Sequence, residues 1–140
     1  MTKKKISKYI PILINIASKS CVNHKHAAVL FSNSESYYGY NKTSGKDSRT
    51  IHAEEDSIIN YKRIGSTKSK KFSMLVIRIN KSGSLCNSKP CYDCIEEFKK
   101  FNINKIYYSN SDGDIICEKI KDICNRESSG TIYNRAMGLT

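Results

Sequence analysis

"FSMLVIRIN", residues 72–80, decides how the rest of the chain is read. Its near-continuous apolar centre predicts a strand buried on both faces, because a strand with one wet face would alternate polar and apolar residues. Such a strand needs a layer above it and a layer below. Two helices flank it in sequence. One is predicted to begin near Ile51, capped by Thr50 or Ser48, with Ala53, Ile58, Ile59 and Tyr61 partly inward and Gly65 closing it. The other begins at Pro90, "PCYDCIEEFKKFN", with Pro in its first turn and Ile95, Phe98 and Phe101 on its apolar side.

Further out, Ile6, Ile10, Leu13, Ile14 and Ala17 fall on helical spacing, so a core-facing helix is expected there, with Pro11 tolerable in its first turn. "AAVLF" (27–31) and "ESYYGYN" (35–41) read as a strand pair around the turn "SNSE". Residues 42–49 and 81–89 read as loops. "KIYYS" (105–109), the turn "NSDG" and "DIICEKI" (114–120) read as a second hairpin. The weaker option makes the last piece helical, since Ile116, Ile120 and Ile123 also fit a stripe. The final fifteen or so residues give no clear signal. The order helix, strand, strand, helix, strand, helix, strand, strand predicts an α/β fold, a mixed sheet with helices on its faces.

The chain has 140 residues, which suits one domain spanning 1–140 with a core large enough to need no disulfides. Its formal net charge of +11 points to a polyanionic partner or a phosphorylated substrate. The lysines are spread rather than striped, and the richness in Lys, Ile, Asn and Ser is also what AT-rich coding produces. Lys3–Lys5 followed by "YIPILINIA" imitates a secretion signal, yet it lacks a small-residue cleavage site and is too short to span a bilayer. A cytoplasmic protein with reduced thiols is therefore expected, and its six cysteines read as metal ligands or core filler rather than disulfides. Cys21, Cys117 and Cys124 read as core or near-surface thiols, Lys68–Lys71 as a solvated loop, and Tyr37, Tyr38 and Tyr40 as packing residues with base stacking the alternative.

The chemistry lies at two helix starts, "IHAEEDSIIN" (51–60) and "KPCYDCIEEF" (89–98). His52, Cys91 and Cys94 supply three of the nitrogen and thiolate donors zinc prefers, and a catalytic zinc keeps its fourth position for water. Two cysteines at i and i+3 in a first helical turn point the same way, and the helix N-terminus favours thiolate. Glu54, two residues after His52, lies near without being a ligand, placed to take a proton from the activated water. The structural alternative is a closed zinc site with Cys86 or His26 as fourth ligand. The other is two unrelated helix starts. The first leaves Glu54 and Pro90 unexplained.

His52-Ala53-Glu54 followed by Pro90-Cys91-Tyr92-Asp93-Cys94 is the H-x-E…P-C-x-x-C signature of zinc deaminases of nucleobases. With the first helix, the hairpin ending in Gly39-Tyr40-Asn41, the central strand and "KIYYS", the chain resembles the cytidine deaminase-like superfamily over most of its length. The resemblance implies a three-layer α-β-α sandwich on a five-stranded mixed sheet, with zinc between two helices. It implies that Asn41 contacts the substrate sugar, that Ala53 lines the base pocket, and that Ala27-Ala28 let the first strand run beside it; His26, just before that pair, reads as a packed or solvent-facing histidine, with lining of the pocket the alternative. It also implies a dimer or tetramer. The tight "NSDG" turn leaves no room for the helix that nucleotide and polynucleotide deaminases insert before the last strand, which is similar to the nucleoside branch. The glycine and Arg-Gln that branch carries around the second cysteine are absent here, and the loop 81–89 is long enough to reach over the pocket or touch a polynucleotide. The expected activity is hydrolytic deamination of a cytosine-type base in a nucleoside or nucleotide, with Zn2+ and no organic cofactor. The alternatives are an editor of RNA or single-stranded DNA and a non-catalytic zinc-stabilised nucleic-acid-binding module.

Overall fold

In the computed structural model, the described residues are 2–22, 24–43, 50–64, 71–90 and 92–121. The segment quoted first forms the central strand β5 (Phe72–Ile79). Its neighbours are β1 (Lys25–Phe31), antiparallel, and β7 (Ile103–Ser109), parallel. β2 (Ser36–Tyr40) and β8 (Ile115–Lys119) flank these, giving the order β2-β1-β5-β7-β8. The helices α1 (Thr2–Ala17), α2 (Ala53–Ile64) and α3 (Tyr92–Lys100) cover the two faces. The parallel β5–β7 pair requires a crossover, and α3 lies in it.

The period of two within β5 splits its side chains between two cores. Leu75, Ile77 and Ile79 pack with Ala27, Val29 and Phe31 of β1 against Ile6, Tyr9, Leu13 and Ala17 of α1. Met74 and Val76 pack with Ala28 and Leu30 against Ala53 and Ile58 of α2 and Ile95 and Phe98 of α3. The three-layer α-β-α sandwich is therefore the one the pattern predicted. Pro11 does not lie in the first turn of α1 but inside the helix. It is exposed, as is Ser7 one turn earlier, so the carbonyl that loses its amide partner faces water.

Three local expectations are corrected. Ile51 belongs not to a helix but to a short strand β4 (Thr50–Ile51), which pairs with β3 (Lys42–Thr43) in the supposed loop 42–49. The cap of α2 is accordingly His52, whose carbonyl accepts the first helical bond from Asp56 N–H at 2.9 Å. Ser48, Gly65, Lys68 and the residues beyond 121, including Ile123 and Cys124, lie outside the described residues. Part of the loop 81–89 is a strand, β6 (Leu85–Cys86), paired with the end of β5. The hairpin reading of 105–120 holds, with β7 and β8 antiparallel. Gly113 sits at φ +83° in its turn, a conformation that favours glycine, and Asn110 Oδ1 accepts two amides there, from Asp112 and Asp114.

These pairings fix which end of the sheet carries the chemistry. β2, β5 and β7 point the same way, so their C-terminal ends share one edge with the start of β1. The N-termini of α2 and α3 follow chain segments leaving that edge. Ligand sites in open α/β sheets gather at the carboxyl ends of strands for this topological reason.

Candidate active site

α2 is seated by a close approach of backbones. A Cβ on Gly39 of β2 would stand 2.4 Å from the amide nitrogen of Ser57 and 2.6 Å from the carbonyl oxygen of Ala53. Only a glycine lets the first turn of α2 lie this close to the sheet. Asp56, buried, locks the same contact: its carboxylate accepts Tyr40 N–H at 3.1 Å and pairs with Lys42 at 3.0 Å. At the start of the helix, Glu55 reaches back to the His52 amide at 3.4 Å, half of a capping box.

On that platform His52 is exposed at the helix entrance, Ala53 is fully buried and Glu54 is buried at 5% exposure. The His52 Nδ1 stands 3.4 Å from the Sγ of Cys94, which is buried in the first turn of α3. Tetrahedral zinc with bonds of about 2.0–2.1 Å to nitrogen and about 2.3 Å to sulfur spans roughly 3.5 Å between those two donors. The pair is thus spaced as two ligands of one ion, and the donor set suits zinc. Cys91 lies outside the described residues. Among the described residues no third His, Cys, Asp or Glu joins His52 and Cys94 in a metal-sized cluster, and this includes Cys86 and His26, the donors of the closed-site alternative. Cys86 sits instead on β6, its thiol against the Ser84 carbonyl.

The segment leading to Cys91 is held by a hydrogen-bonded serine pair. Buried Ser88 and Ser109 share hydroxyl contacts at 2.8 Å, Ser88 Oγ also reaches the Val76 carbonyl at 2.9 Å, and Ser88 N–H donates to the Ser109 carbonyl at 2.8 Å. This ties residues just before Pro90 to the ends of β5 and β7. Sequence reading missed it, because single serines in a polar loop and at a strand end carry no local signal. It also passed over Arg78, the one charge inside the apolar run of β5, which was the available signal.

A hollow of about 280 Å³ opens at this edge, lined by His26, Asn41, His52, Ala53, Glu54 and Pro90 among others. It brings together five members of the expected site, His26 of β1, Asn41 just after β2, and His52, Ala53 and Glu54 of α2 and its cap, while Cys94 does not line it. Asn41 is buried, with Oδ1 accepting His26 N–H at 2.9 Å and Nδ2 donating to the His24 carbonyl. Its amide therefore shapes the pocket wall as well as lining it. His26 Nδ1 contacts the His24 carbonyl at 3.1 Å, so that nitrogen carries the proton. Burial, aided by the charge of Arg78 and neighbouring histidines, holds the His26 imidazole below its ordinary pKa, against the pull of that carbonyl. Neutral His26 then presents Nε2 as an acceptor.

Of the small residues in β1, Ala28 faces α2 and Ala27 faces α1. The tyrosines pack rather than offer faces to the hollow: Tyr37 on Tyr61, Tyr38 on Tyr9, and Tyr40 under Lys42. A larger hollow, about 700 Å³, lies between α2 and α3, lined by Ile58, Ile59, Lys62 and Phe98 as well as His52, Glu54 and Cys94. Glu54 and His52 line both hollows, Cys94 only the larger, and Asn41 and His26 only the smaller.

A layered α/β sandwich with an imidazole and a thiol meeting at two helix entrances, beside a buried carboxylate, suits a metal-dependent hydrolase. The model of one family, the cytidine and deoxycytidylate deaminase zinc-binding region, matches residues 3–110, and the chain belongs to that family of zinc-dependent hydrolytic deaminases. Comparison with curated proteins gives no significant match. Among solved structures, cytidine deaminase from Burkholderia pseudomallei superimposes with a TM-score of 0.68 at 17% identity, over 84% of this chain and 94% of that one. The dCMP deaminase from cyanophage S-TIM5, solved with dCMP and dUMP, gives 0.59 at 17% identity, over 79% and 85%. Cytidine deaminase from Mycobacterium leprae gives 0.59 at 13% identity, over 84% and 94%. At these identities the likeness shows the fold.

Proposed function

We propose that the protein deaminates the cytosine base of a nucleoside or nucleotide, releasing ammonia and leaving uracil. His52, Cys94 and Cys91 would hold the zinc, which when bound supplies the Lewis acidity that makes a water nucleophilic near neutral pH. Glu54 would take one proton from the attacking water and deliver it to the ring nitrogen, then carry the proton of the added hydroxyl to the departing amine, which leaves as ammonia as the carbonyl forms. Its burial at the second position of α2 fixes the carboxylate against the pocket and limits access of bulk water. Ala53, without a bulky side chain, leaves room for a flat base, while Asn41 and His26 offer an amide and an acceptor nitrogen to the sugar. The observation that carries this reading is the 3.4 Å approach of His52 to Cys94, with His52 lining the hollow that also holds Glu54 and Asn41.

Editing of RNA or DNA is the weaker reading. The other lysine-lined hollow, with Lys5, Lys71 and Lys105, is at the opposite end of the sheet, where β1 ends and β5 begins. A basic track leading into the pocket would have favoured a polynucleotide. The exposed free thiols of Cys21 and Cys117 support a reducing, cytoplasmic setting.

The test is ammonia release and base conversion by the zinc-loaded protein on cytidine, deoxycytidine, their monophosphates and short single strands. Glu54→Ala is expected to lower turnover by about 10²–10⁴-fold while keeping stoichiometric zinc and the parent melting temperature. Unchanged turnover in that variant would remove Glu54 from the proton path.

A further inference from the structure

We propose that the end of the sheet opposite the candidate active site docks the phosphate backbone of a nucleic acid, through Lys5, Lys71, Lys105 and Lys119. This surface is separate from the pocket and does not depend on the deaminase reading. At that end β1 and β8 finish while β5 and β7 begin. A hollow of about 350 Å³ opens there, lined by Lys5, Lys71 and Lys105 with the amides of Asn33 and Asn104 and the hydroxyl of Ser73. Each of these side chains can donate a hydrogen bond, and among the described residues lining the hollow none is acidic. The ion pairs of the described residues engage Lys42, Lys89, Lys99 and Lys100 instead. Lys5 is anchored by the Ser32 carbonyl and stands 5.4 Å from the centre of the Phe31 ring. That contact fixes the ammonium in place without cancelling its charge.

Strand register extends the cluster. Lys105 of β7 stands opposite Ser73 of β5 on one side and opposite Lys119 of β8 on the other. The period of two puts Lys105 on the face of Tyr107, which packs in the α1 core. Like charges directly opposite each other in a sheet are destabilising, and an anion between them removes that cost. The first turn of α1, at the same end, holds Lys4 and Lys5 and no acid, so cations stand where the helix dipole is already positive. Glu35 of the β1–β2 turn does not offset them: its carboxylate hydrogen-bonds Tyr37, which packs against the core on the other face. Three strand spacings separate β8 from β1, roughly 14 Å, more than one phosphate group covers. Of the two rings lining the hollow, Phe31 lies under Lys5 and Tyr107 is buried, so neither is open to stack a base. The surface therefore recognises phosphates rather than base sequence. The formal net charge of +11 favours the same class of partner.

The experiment measures fluorescence anisotropy of labelled oligo(A), alone and paired with oligo(U), on zinc-loaded protein across a salt series; neither probe contains cytosine. Binding is expected, with log affinity falling against log salt at a slope of about −3 for the single strand. The triple variant Lys71→Gln, Lys105→Gln, Lys119→Gln should flatten that slope by about 2, keep the parent melting temperature and leave cytidine turnover unchanged. A charge-matched variant at the active-site edge, Lys19→Gln, Lys25→Gln, Lys81→Gln, should keep the parent slope. Equal weakening by both triples would reduce the effect to net charge and defeat the site. Absence of binding at low salt would defeat it as well. Displacement of the probe by cytidine or deoxycytidylate would put the strand in the pocket instead. Displacement by inorganic tripolyphosphate at the same phosphate concentration would make the hollow a small-anion site and remove the docking of a strand.

Discussion

At the residue scale, the site works through groups whose hydrogen-bond capacity is already partly committed. Asn41 is the clearest case, since one amide braces the entry to β1 and lines the pocket. His26 has a further consequence for pH. Its folded-state pKa lies below the ordinary value, chiefly through burial. The unfolded chain therefore binds this proton at a higher pH than the native one does, and stability rises with pH in that window. The contribution is full above about 6.5 and is lost as pH falls from there through the folded-state value. His26→Gln should lose less stability than the parent between pH 7.5 and 5.5, because glutamine has no proton to take up on unfolding in that window. Melting curves of the two proteins at both pH values test this; parallel losses would show that His26 titrates as a solvated histidine.

At the element scale, the contact that matters is between β2 and α2. The helix carrying Glu54 rests on a strand position with no side chain, where an added methyl would meet main-chain atoms rather than a movable side chain. Gly39→Ala must push α2 away from the sheet. A destabilisation of about 1–3 kcal/mol is expected by denaturant titration, with a larger fall in kcat than a pure stability loss would give under native conditions. A fully folded variant with parent activity would show that α2 is seated by its side chains alone. The cap of α2 belongs to the same scale. Thr50 and Ser48 are better capping residues by type, yet a two-residue ladder claims Thr50 and Ile51 for β4 and moves the helix start to His52. That shift puts His52 at the entrance, beside Cys94, rather than inside the first turn.

At the scale of the whole molecule, a zinc ion held as proposed would join α2 to α3 above a sheet whose two cores are separate. The apolar contacts on that face, Ala53 and Ile58 with Ile95 and Phe98, hold the helices near each other without fixing the ligand distance. Binding to the native state alone stabilises by about 2.7 kcal/mol when free metal is a hundredfold above Kd. Chelation should lower the melting temperature by roughly 10 °C, and restored zinc should return it. An unchanged transition in protein shown to be metal-free would mean that no ion bridges the helices.

The layer order was legible before any coordinates, because hydrophobic period is a local property: nearly every second residue of "FSMLVIRIN" faces one core and the rest face the other. The same holds for the identity of the candidate ligands and acid–base residue, since helix starts and the spacing of His52, Glu54 and Cys94 can be read along the chain. What tertiary structure alone decided are contacts between segments far apart in sequence: Gly39 under α2, Ser88 against Ser109, Asn41 across to His24, and Arg78 behind His24. Short polar residues and a lone arginine carry no periodic signal, and their partners are chosen by strand register and by which ends of β1, β2, β5 and β7 meet. The chain's own sequence determined a layered α/β fold with a zinc-type donor set; only the folded edge of the sheet decided the shape and charge of the pocket beside it.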